Sequence, residues 1–247
     1  MGSINETGHA INVANFDTII ATVPSFGTTY NPSKASLKIP ALSAVALASK
    51  TAIGGVSKAE PADKLARDAR DMVFEPLASL ATKAINSLQA TDASAQVVSN
   101  ARTLVRKITG SRATPKLTEE QSKALADAGT PVVQISASQM SCDSRIDNFG
   151  KFIDLLTAVP SYTPNEDELK VTGLTGVLTD LRATNSAVIT AEVILNMARI
   201  TRDDILYKPL TGMVDIALDV KTYIKSVYGP TSPEFRIISR IKFTKKK

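Results

Sequence analysis

Apolar residues recur along most of the chain at three- and four-residue spacing, the period of helices that bury one face. The clearest run is Ile146, Phe149, Phe152, Ile153 and Leu156, ended by Pro160. Thr163-Pro164-Asn165-Glu166 then has the form of a capping box with proline in the first turn, which predicts a helix start there. Leu169, Leu174, Val177, Leu178 and Leu181 make the next apolar face, and a further helical stretch runs from about 185 to 207. Leu210, Met213, Val214, Ala217, Val220, Ile224 and Val227 predict a last helix with these residues inward, stopped by Gly229-Pro230. Four antiparallel helices, or three if 164–207 is continuous, would close a bundle. The first half is richer in alanine (Ala41, Ala44, Ala46, Ala48, Ala52), and Gly54-Gly55 predicts a helix break. Three short runs read instead as β-like: Ala10 to Val13, Val132-Val133-Gln134-Ile135-Ser136, and Ile237 to Phe243.

The pattern repeats. Asn15-Phe16, Val23-Pro24-Ser25-Phe26, Tyr30-Asn31-Pro32, Leu37-Lys38 and Leu42 return as Asn148-Phe149, Val159-Pro160-Ser161-Tyr162, Thr163-Pro164, Leu169-Lys170 and Leu174. Arg70-Asp71 and Pro76-Leu77 likewise match Arg202-Asp203 and Pro209-Leu210. Thr103 and Gly110 match Thr222 and Gly229 at a shorter offset, which calls for about 14 extra residues in the first copy, roughly within 78–100. The expectation is an all-α chain of two tandem, internally duplicated antiparallel helical bundles, with short β-like segments at the linker and C-terminus. Its parts are a first bundle over 1–110, a linker with a short helix (118–128) and a β-like segment over 111–143, a second bundle over 144–229, and a basic tail over 230–247.

Charge follows these divisions. The 247 residues carry a formal charge of +5, distributed as +3, −1, −2 and +5 over the four parts, so the tail alone equals the excess. A single cysteine, Cys142, allows no internal disulfide or cysteine-rich metal site, and a single histidine, His9, removes any mechanism needing two. His9 lies in a terminal segment and is expected to face solvent. The N-terminus lacks a secretory signal and no uninterrupted apolar run reaches transmembrane length, so a cytoplasmic protein with no transmembrane segment is expected.

Candidate chemistry is sparse. Tyr30-Asn31-Pro32-Ser33-Lys34-Ala35 has the Tyr-x-x-Ser-Lys-Ala form of short-chain dehydrogenases, but no glycine-rich dinucleotide turn precedes it, so it is read as a helix entry. Arg199, Arg202, Asp203 and Asp204, with Arg67, Asp68, Arg70 and Asp71 in the first copy, could hold a divalent metal, or could form salt bridges along a helix. The latter reading is preferred. Cys142 opens a helix, where the helix dipole could lower a thiol pKa, but no partner for nucleophilic chemistry lies near it in sequence. No catalytic, cofactor-binding or metal-ligating residue is therefore assigned, and no cofactor is expected.

Across Ser138 to Phe149, Tyr162 to Lys170 and Lys225 to Pro233, the sequence resembles a family of bacterial helical proteins to which no activity is assigned. The resemblance is best over 132–244; it implies a helical fold and a bacterial cytosolic origin and carries no catalytic residue. The function expected is that of a non-enzymatic structural or interaction protein, a homo-oligomer that self-associates through helical bundles and terminal segments into a filament, tube or other repeating assembly. Candidate self-association residues are Ile237, Ile238, Ile241 and Phe243 in the tail, read as an edge strand, and Val132, Val133 and Ile135 in the linker. The alternative is a nucleic-acid or anionic-surface module with a weak anionic partner at Arg236, Arg240, Lys242, Lys245, Lys246 and Lys247.

Overall fold

The computed structural model describes residues 6–111, 118–128 and 140–244. Val132, Val133, Ile135 and Lys245 to Lys247 lie outside them. The described chain is all-α: α1 (Glu6–Thr22), α2 (Ile39–Phe74), α3 (Leu77–Gln89), α4 (Ala95–Thr109), α5 (Glu119–Asp127), α6 (Cys142–Thr157), α7 (Val171–Tyr207), α8 (Met213–Tyr228) and α9 (Pro233–Ser239). Two 3-10 segments, Val23–Thr29 and Ala35–Leu37, separate α1 from α2. Serines cap α4, α6 and α9, each accepting a bond from the backbone N–H three residues on: Ser94 from Val97, Ser141 from Ser144 and Ser232 from Phe235.

Two compact units result, and their division cuts across the halves of the sequence. Unit 1 comprises residues 1–63 and 191–247, and unit 2 comprises 64–190. Among described residues, the first takes α1 and most of α2 together with the end of α7, α8 and α9; the second takes the end of α2, α3 to α6, and the start of α7. The core of the first is Phe16, Ile19, Leu42, Leu206, Met213, Val220 and their neighbours; that of the second is Leu77, Leu88, Ile108, Phe149, Phe152, Leu174 and theirs.

The repeated motif makes the same contact in both units. The Tyr30 hydroxyl donates to the Leu37 carbonyl at 2.7 Å, and the Tyr162 hydroxyl donates to the Leu169 carbonyl at 2.8 Å, both buried. Buried positions on α3 recur on α8: Leu77, Ala81, Ala84 and Leu88 against Met213, Ala217, Val220 and Ile224. This register matches α3 to α8, and Ser94-capped α4 to the shorter Ser232-capped α9. It differs from the shorter offset expected from Gly110 and Gly229, which end α4 and α8 respectively. The three-residue discrepancy before α8 is a turn in which Leu210, expected inward, is 81% exposed with φ 69°.

Several local expectations are corrected. Ala10 to Val13 lies inside α1, and Ile237 to Ser239 inside α9, so neither is a strand. The helix expected to break at Gly54-Gly55 runs on through them and through Pro61. Each glycine costs about 1 kcal/mol against alanine, and burial of Ala52, Val56 and Ala59 around them offsets that. The capping box at 163–166 starts no α-helix: the chain turns there, with Leu169 and Lys170 N–H groups bonded to the Glu166 carbonyl, and α7 begins at Val171. That turn brings the Asp167 carbonyl so close to Gly173 that a Cβ there would clash with it. From Val171 to Tyr207, α7 is one helix.

By length and composition alone, the helical stretch Ile39–Gln89 is long and apolar enough to cross a membrane, and 28% of its most apolar window is buried. Lys50 and several Ser and Thr residues interrupt it, so it contains no uninterrupted apolar run of that length. Leu47, Leu65 and Met72 all stand largely exposed on it.

Candidate self-association surface

The tail expected to pair as an edge strand is instead folded onto its own unit. After α9, residues 240–244 form a strap along α1 and α8. Ile238 is fully buried, and Ile241 and Phe243 pack against the same core, while Ile237 is exposed. What holds the strap is main-chain recognition. The Asn12 side chain donates to the Thr244 carbonyl at 2.9 Å and accepts from the Thr244 N–H at 3.0 Å; Asn15 donates to the Lys242 carbonyl at 2.7 Å; the Lys221 ammonium donates to the Ile241 carbonyl. Burial, with the Lys242 charge nearby, holds the Lys221 pKa below the usual lysine value. Its ammonium also sits 5.3 Å from the centre of the Phe243 ring.

His9, expected in solvent, is 1% exposed. It lies on the inner face of α1 one turn before Asn12, and its Nδ1 is 2.6 Å from the Tyr207 hydroxyl, to which Asn12 also donates at 3.2 Å. Its burial follows from α1 being a helix: residues 9, 12, 13, 16 and 19 share one face, and the unit closes over it. The candidate anion-binding residues Arg236, Arg240 and Lys242 are all exposed.

A second feature of unit 1 was not foreseen. Within this unit, residues 191–206 of α7 are apolar on two sides. Leu195 and Leu206 face inward, whereas Val193, Ile194, Met197 and Ile200 are each more than half exposed. Beside them, α2 and α7 border an apolar groove of about 550 Å³ lined by Ala44, Leu47, Ala48, Thr51, Ala52 and Gly55 on α2 and Ala198, Thr201 and Ile205 on α7. Small residues leave the groove hollow, and Leu47, 68% exposed, stands at its edge. The sequence signal for the ridge was present: a helix apolar on two sides, with Glu192, Asn196 and Arg199 on a third, needs cover on more than one of them. Reading only for a single inward face hid it.

The chemical candidates are dispersed or engaged. Tyr30 bonds to Leu37 and stacks edge-on with Tyr223, and burial pushes its pKa up to about 12, away from a general acid's range. Lys34 pairs with Asp219 at 2.5 Å. In the charged block, the Arg202 guanidinium, 4% exposed, forks onto Asp203 Oδ1 at 3.0 and 2.9 Å, Arg199 pairs with Glu60 at 3.1 Å, and Arg70 approaches Asp71 at 3.7 Å. Among the described residues no group of three His, Cys, Asp or Glu side chains could hold a metal ion. Cys142 is half-buried at the start of α6. In unit 2 a smaller polar depression of about 280 Å³ brings Asp143, Asp147, Arg182 and Asn185 together, with Asn185 donating to Asp143 at 2.8 Å.

The chain matches no protein-family model, no curated protein and no solved structure. The functional reading therefore rests on the chain's own surface.

Proposed function

We propose that this is a non-enzymatic structural or interaction protein whose two halves arose by duplication of one helical module and which self-associates through exposed helix faces. The observation that carries the reading is the apolar ridge of α7 beside the α2–α7 groove. Four large apolar side chains within the two turns Val193–Ile200, a stretch whose one charge, Arg199, is paired with Glu60, support an association surface together with the nearby Leu47. Covering them is worth about 1 kcal/mol each, on the order of 5 kcal/mol per copy, before the cost of association. The contact is placed on α7 rather than on the tail, where Ile238, Ile241 and Phe243 lie in or against their own unit's core. A filament or tube needs a second contact besides this one.

Sedimentation velocity across a hundredfold concentration range, with electron microscopy of the same samples, tests the reading. The expected result is a concentration-dependent larger species that Met197→Glu diminishes. A strictly monomeric protein throughout would overturn it. The second reading, an anionic partner at the tail, is favoured by the outward placement of Arg236, Arg240 and Lys242 while the strap's carbonyls are held inward. Removing 245–247 and substituting these three residues by Gln should abolish any salt-sensitive binding to polyanions.

A further inference from the structure

We infer that a second copy of this chain occupies the α2–α7 groove, in a two-fold dimer where each copy's α7 ridge enters the other's groove. This rests on the self-association reading and specifies its contact.

Three observations choose a second copy as the occupant. The first is spacing. The exposed ridge Val193, Met197, Ile200 continues to Asp204, in steps of four, three and four residues. The groove wall Ala44, Ala48, Thr51, Gly55 continues to Lys58, with the same steps and one more of three. Large side chains in one row and small ones in the other, at one periodicity, are the two sides of a ridge-into-groove contact.

The second is charge. Each row is uncharged until its C-terminal end, where the ridge carries the exposed Asp204 and the groove the exposed Lys58. With the ridge laid parallel to α2, Asp204 of one copy arrives at Lys58 of the other as Val193 arrives near Ala48. Laid the other way, the acid meets the apolar start of the groove.

The third is direction. Within unit 1, α2 and α7 are antiparallel, since Glu60 pairs with Arg199 while Ala44 and Ile205 line the same groove. A two-fold axis perpendicular to the helices sets the second α7 antiparallel to the first, and therefore parallel to α2. A two-fold axis so placed gives the orientation that charge favours, and an isologous contact uses ridge and groove twice.

Area sets the strength. The four ridge residues and Leu47 each expose on the order of 100 Å² of apolar surface, of which a ridge-in-groove contact covers about half, on the order of 250 Å² per copy, and the groove walls they cover roughly double it. That lies below the ~800 Å² per partner of a standard stable interface. The dimer is therefore reversible and dilutable.

The test is complementation in the full-length protein. Met197→Glu spoils the ridge and leaves the groove; Ala48→Lys spoils the groove and leaves the ridge. Both positions are exposed, and thermal melts matching the parent establish that the variants fold. Each alone should weaken dimerisation in sedimentation equilibrium at least tenfold. An equimolar mixture should recover it, because the intact ridge of one meets the intact groove of the other, and at the second contact the introduced acid lies about one turn from the introduced base. Asp204→Lys and Lys58→Glu should each weaken the dimer severalfold and restore it when combined in one chain. If the parent dimerises but Ala48→Lys has no effect, or the mixture fails to recover, the ridge-in-groove contact is wrong while self-association stands. If the parent does not dimerise, both fall.

Discussion

Asn12→Ala should loosen the strap far more than its single-residue scale suggests. Its side chain, 1% exposed, makes two bonds to the Thr244 backbone and one to the Tyr207 hydroxyl. A net hydrogen bond contributes about 1 kcal/mol, and a buried partner left without its bond costs more, about 1–3 kcal/mol. The strap end can regain water once released, so only the inner side of the network carries that larger cost. The expected loss is about 2–3 kcal/mol, a fall in Tm on the order of 5–10 °C for a chain of this size. Asn15→Ala, removing one exposed bond to Lys242, should cost about 0.5 kcal/mol or less. Calorimetric melts of both variants and of a chain truncated after Ile241 measure this, and hydrogen exchange at the Thr244 amide reads the strap directly. Asn12→Ala and the truncation share two bonds, so their effects should be markedly non-additive. Equal costs for the two asparagines, or additivity of Asn12→Ala with truncation, would refute main-chain clamping as the strap's anchor.

Other outcomes follow from single features. Leu210→Gly should stabilise the protein by about 1 kcal/mol, read as a higher Tm, because leucine at φ 69° carries left-handed strain and its 81% exposure leaves little burial to lose. Gly173→Ala should destabilise by about 2 kcal/mol or more, since the new Cβ would meet the Asp167 carbonyl and the turn before α7 must open. Tyr30 is neutral in both folded and unfolded chains below pH 10. As pH rises from 10 towards its folded value of about 12, only the unfolded chain ionises, so the stabilisation is lost across that window. Denaturation between pH 9 and 12 should show this slope, and Tyr30→Phe should flatten it. Asp203→Asn should lower stability without altering metal content, since Asp203 holds the buried Arg202.

What the sequence disclosed was local and periodic. The helical character of nearly every described segment, the short helix at Glu119–Asp127 and the inward faces of α6 and, apart from the exposed Val227, of α8 were readable from three-four spacing. The repeat was readable as a pattern, but the contact that Tyr30 and Tyr162 share, each hydroxyl donating to a carbonyl seven residues on, was not. Where reading failed, tertiary structure outweighed local preference. Gly54-Gly55 stays helical because both flanks are buried, and Ile237 to Phe243 has a strand's alternation but its first three residues are taken into α9 because Ser232-Pro233 starts a helix just before it, the rest forming the strap. His9 was unreadable for a different reason: burial of a polar residue depends on which element closes over it, and Tyr207 lies 198 residues away. The α7 ridge was legible in principle, since a helix apolar on two sides has one side to spare.

The division of the units bears on the order in which the chain is made. Unit 2 is contiguous, residues 64–190, and has all its parts once α7 has begun to emerge from the ribosome. Unit 1 owns residues 1–63 and 191–247, so α1 and the start of α2 are synthesised before unit 2 and find their partners after it. During that interval the inner face of α1, with Phe16 and Ile19, has no α8 to pack on. Nascent-chain protection of α1 is thus expected to lag behind that of α3 and α6, although α1 precedes both along the chain.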